Sequence, residues 1–193
     1  VVAYFRSSGY FAIRNHLLKV PDVKILVGIN VDKISAEAKR RGQLFFGDPV
    51  MARELFVKKM IEDVKQAEYK AEVEEGILQF MQDIIDGKIQ IRIHKTRKLH
   101  AKIYIFLPET FNEYSGGEVI TGSSNLTDAG LGTVDGANYE FNVALRDFED
   151  VQFAENEFQK LWAEGEDVLP EDLEKINTKT HIGKVFTPFE IYI

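Results

Sequence analysis

The order of elements predicts an α/β protein, a mixed and mainly parallel β-sheet flanked by helices on both faces. Three observations lead there. Strand, helix and strand succeed one another over residues 1–29, the order of a parallel pair joined by a crossover helix. Two apolar stripes at helical spacing follow, Val57, Met60, Ile61 and Val64, then Ile77, Phe80, Met81 and Ile84, each suited to cover a sheet face. Ile89, Ile91 and Ile93 then alternate with Gln90 and Arg92, the period of a strand with one buried face.

In chain order, residues 1–5 read as a buried strand, and Ser7, Ser8 and Gly9 supply cap-like residues before Tyr10, Ile13 and Leu17 at helical spacing. Pro21 closes that helix, and residues 23–29 form the second strand. A short helix is expected at 35–41, and Asp48-Pro49 starts the next one, a cap followed by proline in the first turn. The two amphipathic helices part near 69–75, and Gly87 ends the second. The isoleucine strand is expected beside the strand that carries His100, in one sheet. Residues 108–117 are a polar loop, 118–121 a short strand, and 127–137 a Gly- and Asp-rich loop.

In the strand expected at 138–145, Tyr139, Phe141, Val143 and Leu145 share one face while Asn138, Glu140 and Asn142 share the other. Asp150 opens a last helix that buries Val151, Ala154, Phe158 and Leu161, with Trp162 beside them. From 163 to 180 the chain turns acidic and polar around Pro170, which reads as a linker or peripheral arm. The expected division is a domain over 1–165 and an acidic linker with a C-terminal segment over 166–193.

At 193 residues the chain supports one domain with a substantial core, and 45% hydrophobic with 28% charged residues is ordinary globular composition. It has no apolar run long enough to span a bilayer and no charged-then-apolar leader. With no cysteine there is neither a disulfide nor a thiolate metal site, and a cytoplasmic location is expected. A net charge of −7 argues against indiscriminate nucleic-acid binding. Basic residues nevertheless concentrate at Lys39, Arg40 and Arg41, and in the run His94-Lys95-Thr96-Arg97-Lys98-Leu99-His100-Ala101-Lys102.

That run ends in chemistry. On a strand, His100, Lys102 and Tyr104 point the same way. An imidazole acts as nucleophile or proton carrier near neutral pH, and an ammonium beside it offers three donors and a fixed charge to a phosphate. Gly122-Ser123-Ser124-Asn125 then adds a turn, two hydroxyls and an amide. Taken singly, a His near a Lys is a solvated strand end and G-S-S-N a turn. Their succession points to a phosphate-handling site.

His100-x-Lys102, then Gly122-Ser123-Ser124-Asn125, then Asn138-Tyr139-Glu140-Phe141-Asn142, resembles the phospholipase D superfamily, and specifically its nuclease-like branch, over residues 1–162. Where that family's motif has an aspartate, this chain has Leu107. The resemblance implies a metal-independent phosphodiesterase or nuclease acting on DNA. In that reading His100 attacks phosphorus to form a phosphohistidine, Glu140 fixes its tautomer, and Lys102 and Asn125 hold the nonbridging oxygens. Ser123, Ser124, Tyr104 and Lys98 are expected at the substrate. The family uses two His-Lys-Asn sets and this chain carries one, so a homodimer meeting across the active site is implied, with no cofactor and no metal. Residues 184–190 resemble the segment that joins such domains to a superfamily 2 helicase, which implies a helicase-linked or restriction context. A catalytically silent nucleic-acid-binding or dimerisation module of a helicase is the alternative, and a phospholipid phosphodiesterase ranks third.

Overall fold

A computed structural model describes residues 1, 5–17, 19–28, 49–66, 71–94 and 99–179. Its elements run α1 (Ser7–Leu17), β1 (Val23–Gly28), α2 (Pro49–Gln66), α3 (Ala71–Ile85), β2 (Ile89–His94), β3 (Ile103–Phe106), β4 (Glu118–Gly122), α4 (Asp128–Leu131), β5 (Asn142–Leu145), α5 (Phe148–Glu164), β6 (Glu166–Asp167) and α6 (Pro170–Lys179). The α/β class is as expected. Among the described residues, however, the strands form two three-stranded sheets, ordered β1-β2-β6 and β3-β4-β5.

Connection length explains the strand directions. Two helices among the described residues lie between β1 and β2, which run parallel, from Val23 opposite Ile89 to Gly28 opposite His94. β3 and β4 are joined by the 107–117 loop without a helix and so pair antiparallel, as do β4 with β5 and β2 with β6. The mainly parallel sheet is therefore corrected to one parallel ladder and three antiparallel ones among the described residues. Among the described residues the partner of β1 is β2, and the pairing expected with 1–5 falls largely on residues outside them. Residues 2–4 lie outside the described residues, while Phe5 bridges Leu126 and the Ile103 N–H donates to the Val1 carbonyl at 2.9 Å, both beside the second sheet. Among the described residues the isoleucine strand and the chain after His100 belong to different sheets.

Both amphipathic helices bury their stripes as the periodicity requires. Val57, Met60, Ile61, Val64, Ile77, Phe80 and Met81 are core residues together with Ile25, Val27, Ile89, Ile91 and Ile93. The Phe80 ring lies 5.3 Å from Phe5 and 5.0 Å from Tyr10. Gly87 takes a φ of 70° just past α3, a conformation that stops the helix and that side chains with a Cβ resist.

A carboxylate is buried in this core. Asp83, 1% exposed, accepts from Tyr10 Oη at 2.9 Å, Arg14 Nε at 2.6 Å and Arg14 Nη2 at 3.1 Å, which ties α3 to α1. Burial alone would raise its pKa; the Arg14 and Tyr10 hydrogen bonds and the Arg14 charge outweigh that and hold it below the ordinary value.

Residues 166–179 are not a linker. β6 pairs with β2, and Val168, Leu173 and Ile176 enter the core at 8%, 1% and 0% exposure. Arg92 fastens this segment: its guanidinium bonds Asp167 at 2.8 and 3.3 Å, donates to the Trp162 carbonyl at 2.9 Å and lies 4.8 Å from the Trp162 ring centre. The acidic composition misleads because Glu171 and Glu174 sit on the exposed face of α6, opposite Leu173 and Ile176. Within the loop expected at 127–137, α4 makes one turn, its first N–H groups capped by Thr127. The helix expected at 35–41, the Lys39 to Arg41 cluster and residues 184–190 lie outside the described residues. No helix among the described residues is long and apolar enough to cross a membrane.

Candidate active site

The second sheet assembles the motifs by its ladders. The Gly122 N–H donates to the Lys102 carbonyl at 3.3 Å, and the Ser123 N–H to the Phe141 carbonyl at 3.1 Å. The His-Lys segment, the G-S-S-N turn and the Asn-Tyr-Glu segment therefore lie side by side. Position 122 has to be glycine, since a Cβ there would collide with the Phe141 carbonyl and the Asn142 side chain.

Lys102 folds back on His100. Its Nζ lies 3.2 Å from His100 Nδ1 and 3.3 Å from Nε2, and donates to the His100 carbonyl at 3.0 Å. An ammonium only donates, so a ring nitrogen that bonds it must carry a lone pair. Lys102 is 7% exposed while His100 is exposed. A buried cation therefore stands behind a solvent-facing imidazole.

Across the site, Glu140 bonds Ser123 Oγ closely and accepts from Asn138 Nδ2 at 3.3 Å. Ser123 Oγ also accepts the Phe141 N–H at 3.0 Å. Among the described residues no hydrogen bond or ion pair joins Glu140 to His100 within the chain; the bonds of Glu140 go to Ser123 and Asn138.

Behind these, Ser124 is buried, its Oγ accepting from Asn142 Nδ2 at 2.8 Å, and Tyr104 Oη donates to its carbonyl at 3.0 Å. Burial first, and then the Glu140 charge, pushes the Tyr104 pKa up to about 12, so the phenol stays a donor at neutral pH. Ser124 and Tyr104 thus fix the turn from below. Asn125 is half-buried and its carbonyl accepts the Thr127 N–H at 2.9 Å, placing the residue at the head of the turn that leads into α4. Lys98 lies outside the described residues. Asn142 is the site residue that residue type alone did not single out; the signal was its parity with Glu140 on one strand face. Among the described residues no three His, Asp or Glu side chains cluster as a metal site would.

The family model described as cardiolipin synthase, PLD-like domain, matches residues 22–162. The chain belongs to the phospholipase D-like family. No curated protein matches it. The match contains His100, Lys102, Ser123, Asn125 and Glu140, so the polar groups gathered by β3, β4 and β5 occupy the matched part of a phospholipase D-like domain. Members of the superfamily are in general phosphodiester hydrolases, and an imidazole with a buried ammonium behind it suits that chemistry.

Proposed function

We propose that this phospholipase D-like chain is a nuclease that cleaves DNA phosphodiesters without a metal, through a covalent phosphohistidine on His100. The observation that carries the reading is the Lys102 ammonium held within 3.3 Å of both ring nitrogens of an exposed imidazole. When a phosphodiester enters, Lys102 swings its donors from the ring to the nonbridging oxygens and the freed lone pair attacks phosphorus. The P–Nε2 or P–Nδ1 bond forms as the bond to the leaving oxygen breaks, and that oxygen takes up a proton. Water then attacks the phosphohistidine and regenerates the imidazole. Lys102 and Asn125 stabilise the charge that grows on the nonbridging oxygens.

One His-Lys set supplies one imidazole, whereas this route uses a second to protonate the leaving oxygen. A twofold homodimer supplies it, because a twofold axis brings one patch against its own copy. The same pairing answers for Glu140: with its own-chain bonds going to Ser123 and Asn138, its carboxylate is presented outward to the imidazole of a second copy.

The test is cleavage of labelled single- and double-stranded DNA in excess EDTA by this chain and by His100→Asn. Cleavage by the parent alone supports the reading. DNA binding without cleavage by either supports a silent, helicase-linked module, which Leu107 in place of the family aspartate favours. Hydrolysis of phospholipid vesicles but not DNA would replace the nuclease by a lipid phosphodiesterase; the description of the matched family names a phospholipid enzyme, cardiolipin synthase.

A further inference from the structure

The register of the second sheet sets two rows of residues on one face. Lys102, Gly122 and Asn142 stand side by side at the end that carries the site, and Phe106, Glu118 and Arg146 do so at the other end. Residues an even number apart share a strand face, so both rows look the same way. The rows lie four residues apart along each strand, a distance of about 13 Å. Between them on β5 is Ala144, small and exposed.

The far row opens into a cleft. Phe106, Leu107, Pro108, Gly116, Gly117 and Arg146 line a volume of about 440 Å³, inside the range of about 300–1,000 Å³ for small-molecule sites. Its wall is apolar and its rim cationic. Phe106 is 52% exposed, leaving ring surface for a ligand. Arg146 engages Glu118 through Nε at 2.6 Å, and among the described residues its remaining N–H donors have no partner. The carboxylate thus fixes the guanidinium and leaves its terminal nitrogens for an anion. Leu107, which stands where the family motif has an aspartate, belongs to this wall. A carboxylate there would repel a phosphate; leucine does not.

We infer that this cleft holds an unpaired nucleotide of the strand whose scissile phosphate lies at His100, its base stacked on Phe106 and its phosphate on Arg146. The inference rests on the DNA reading of the proposed function and names the strand type, single-stranded. Two observations choose that occupant. A strand leaving the site along Asn142 and Ala144 reaches Arg146 on the same sheet face, without crossing an edge. The net charge of −7 leaves little general attraction for a polyanion, so base stacking has to supply affinity. Bases in a duplex are already stacked and paired, and have no free face to offer Phe106.

The test is binding, read separately from cleavage. Fluorescence anisotropy is measured in excess EDTA on the non-cleaving His100→Asn chain, with a labelled mixed-sequence oligodeoxynucleotide alone and annealed to its complement. The single strand should bind more tightly than the duplex. Phe106→Ala should weaken single-strand binding about tenfold and leave duplex binding unchanged, and Phe106→Trp should restore it. Arg146→Gln, at an exposed position, should weaken single-strand binding and lower its salt slope by about 0.7, one phosphate contact. Single-strand affinity indifferent to both positions, or a duplex bound as tightly as the single strand, overturns the cleft whether or not the parent chain cleaves DNA. The expected losses, in a chain whose parent binds DNA without cleaving it, uphold the cleft and overturn the nuclease. Binding of cardiolipin-containing phosphatidylcholine vesicles through Phe106 and Arg146, with no binding of DNA, overturns both.

Discussion

The two sheets divide the labour of the molecule. β1 is buried along its last four residues, whereas β5 is exposed along its whole length. The first sheet packs against α2, α3 and α5 and, with α6 lying on α2 and α3, holds most of the core, including the ion-paired Asp83. The second carries the residues assigned to chemistry, and its own interior is a smaller contact of Val119 with the α5 face around Val151. Stability and reactivity therefore reside on different strands, and substitutions should separate them.

The sharpest separation is expected for His100→Asn. Loss of a nucleophile costs on the order of 10⁴-fold or more in turnover. Since His100 is exposed, thermal unfolding should stay within about 1 °C of the parent, as for other exposed positions. Phe80→Ala is the converse. It should lower unfolding free energy by about 3–5 kcal/mol in urea titration, while the activity of the fraction still folded is retained.

Arg14→Met comes next, because it leaves Asp83 charged and buried without its main partner, at a cost of about 3 kcal/mol at pH 7. The sign with pH follows from the depressed carboxyl. A folded pKa below the unfolded value of about 3.9 contributes stability that is whole above that value and lost as pH falls through the folded one. The difference between parent and Arg14→Met should therefore shrink below about pH 4, read from urea midpoints at pH 6 and pH 3. A difference that grows on acidification would remove Asp83 from this role.

Asn142→Ala is the subtlest probe and crosses the divide. It removes the bond to Ser124 and should cost about 1 kcal/mol of stability. Turnover should fall while substrate affinity changes little, because the turn that holds Asn125 loosens. A variant with unchanged turnover would make Asn142 purely structural.

Much of this was legible in the chain. The stripes through Val57 to Val64 and Ile77 to Met81 are long and regular, so their helices and buried faces could be read directly. The order His100, Lys102, Gly122 to Asn125, Glu140 exposed the motif set. Pairing was less legible, because which strand neighbours which is decided by tertiary contacts and not by local period. That is why one sheet was expected where the described strands form two. α6 was missed because its two buried side chains are outnumbered by charge. The expected tie from Glu140 to His100 came from the family resemblance, and spacing says nothing of which groups a carboxylate meets across strands.

Arg92 makes the family limit and the folding limit different places. The matched segment closes at Trp162, yet the guanidinium that lies against that ring also grips Asp167, and the core among the described residues runs on to Ile176. A chain cut at the family limit would lose its third strand and uncover a strip of β2, α2 and α3. The helix that looked dispensable on composition is the lid of the hydrophobic interior.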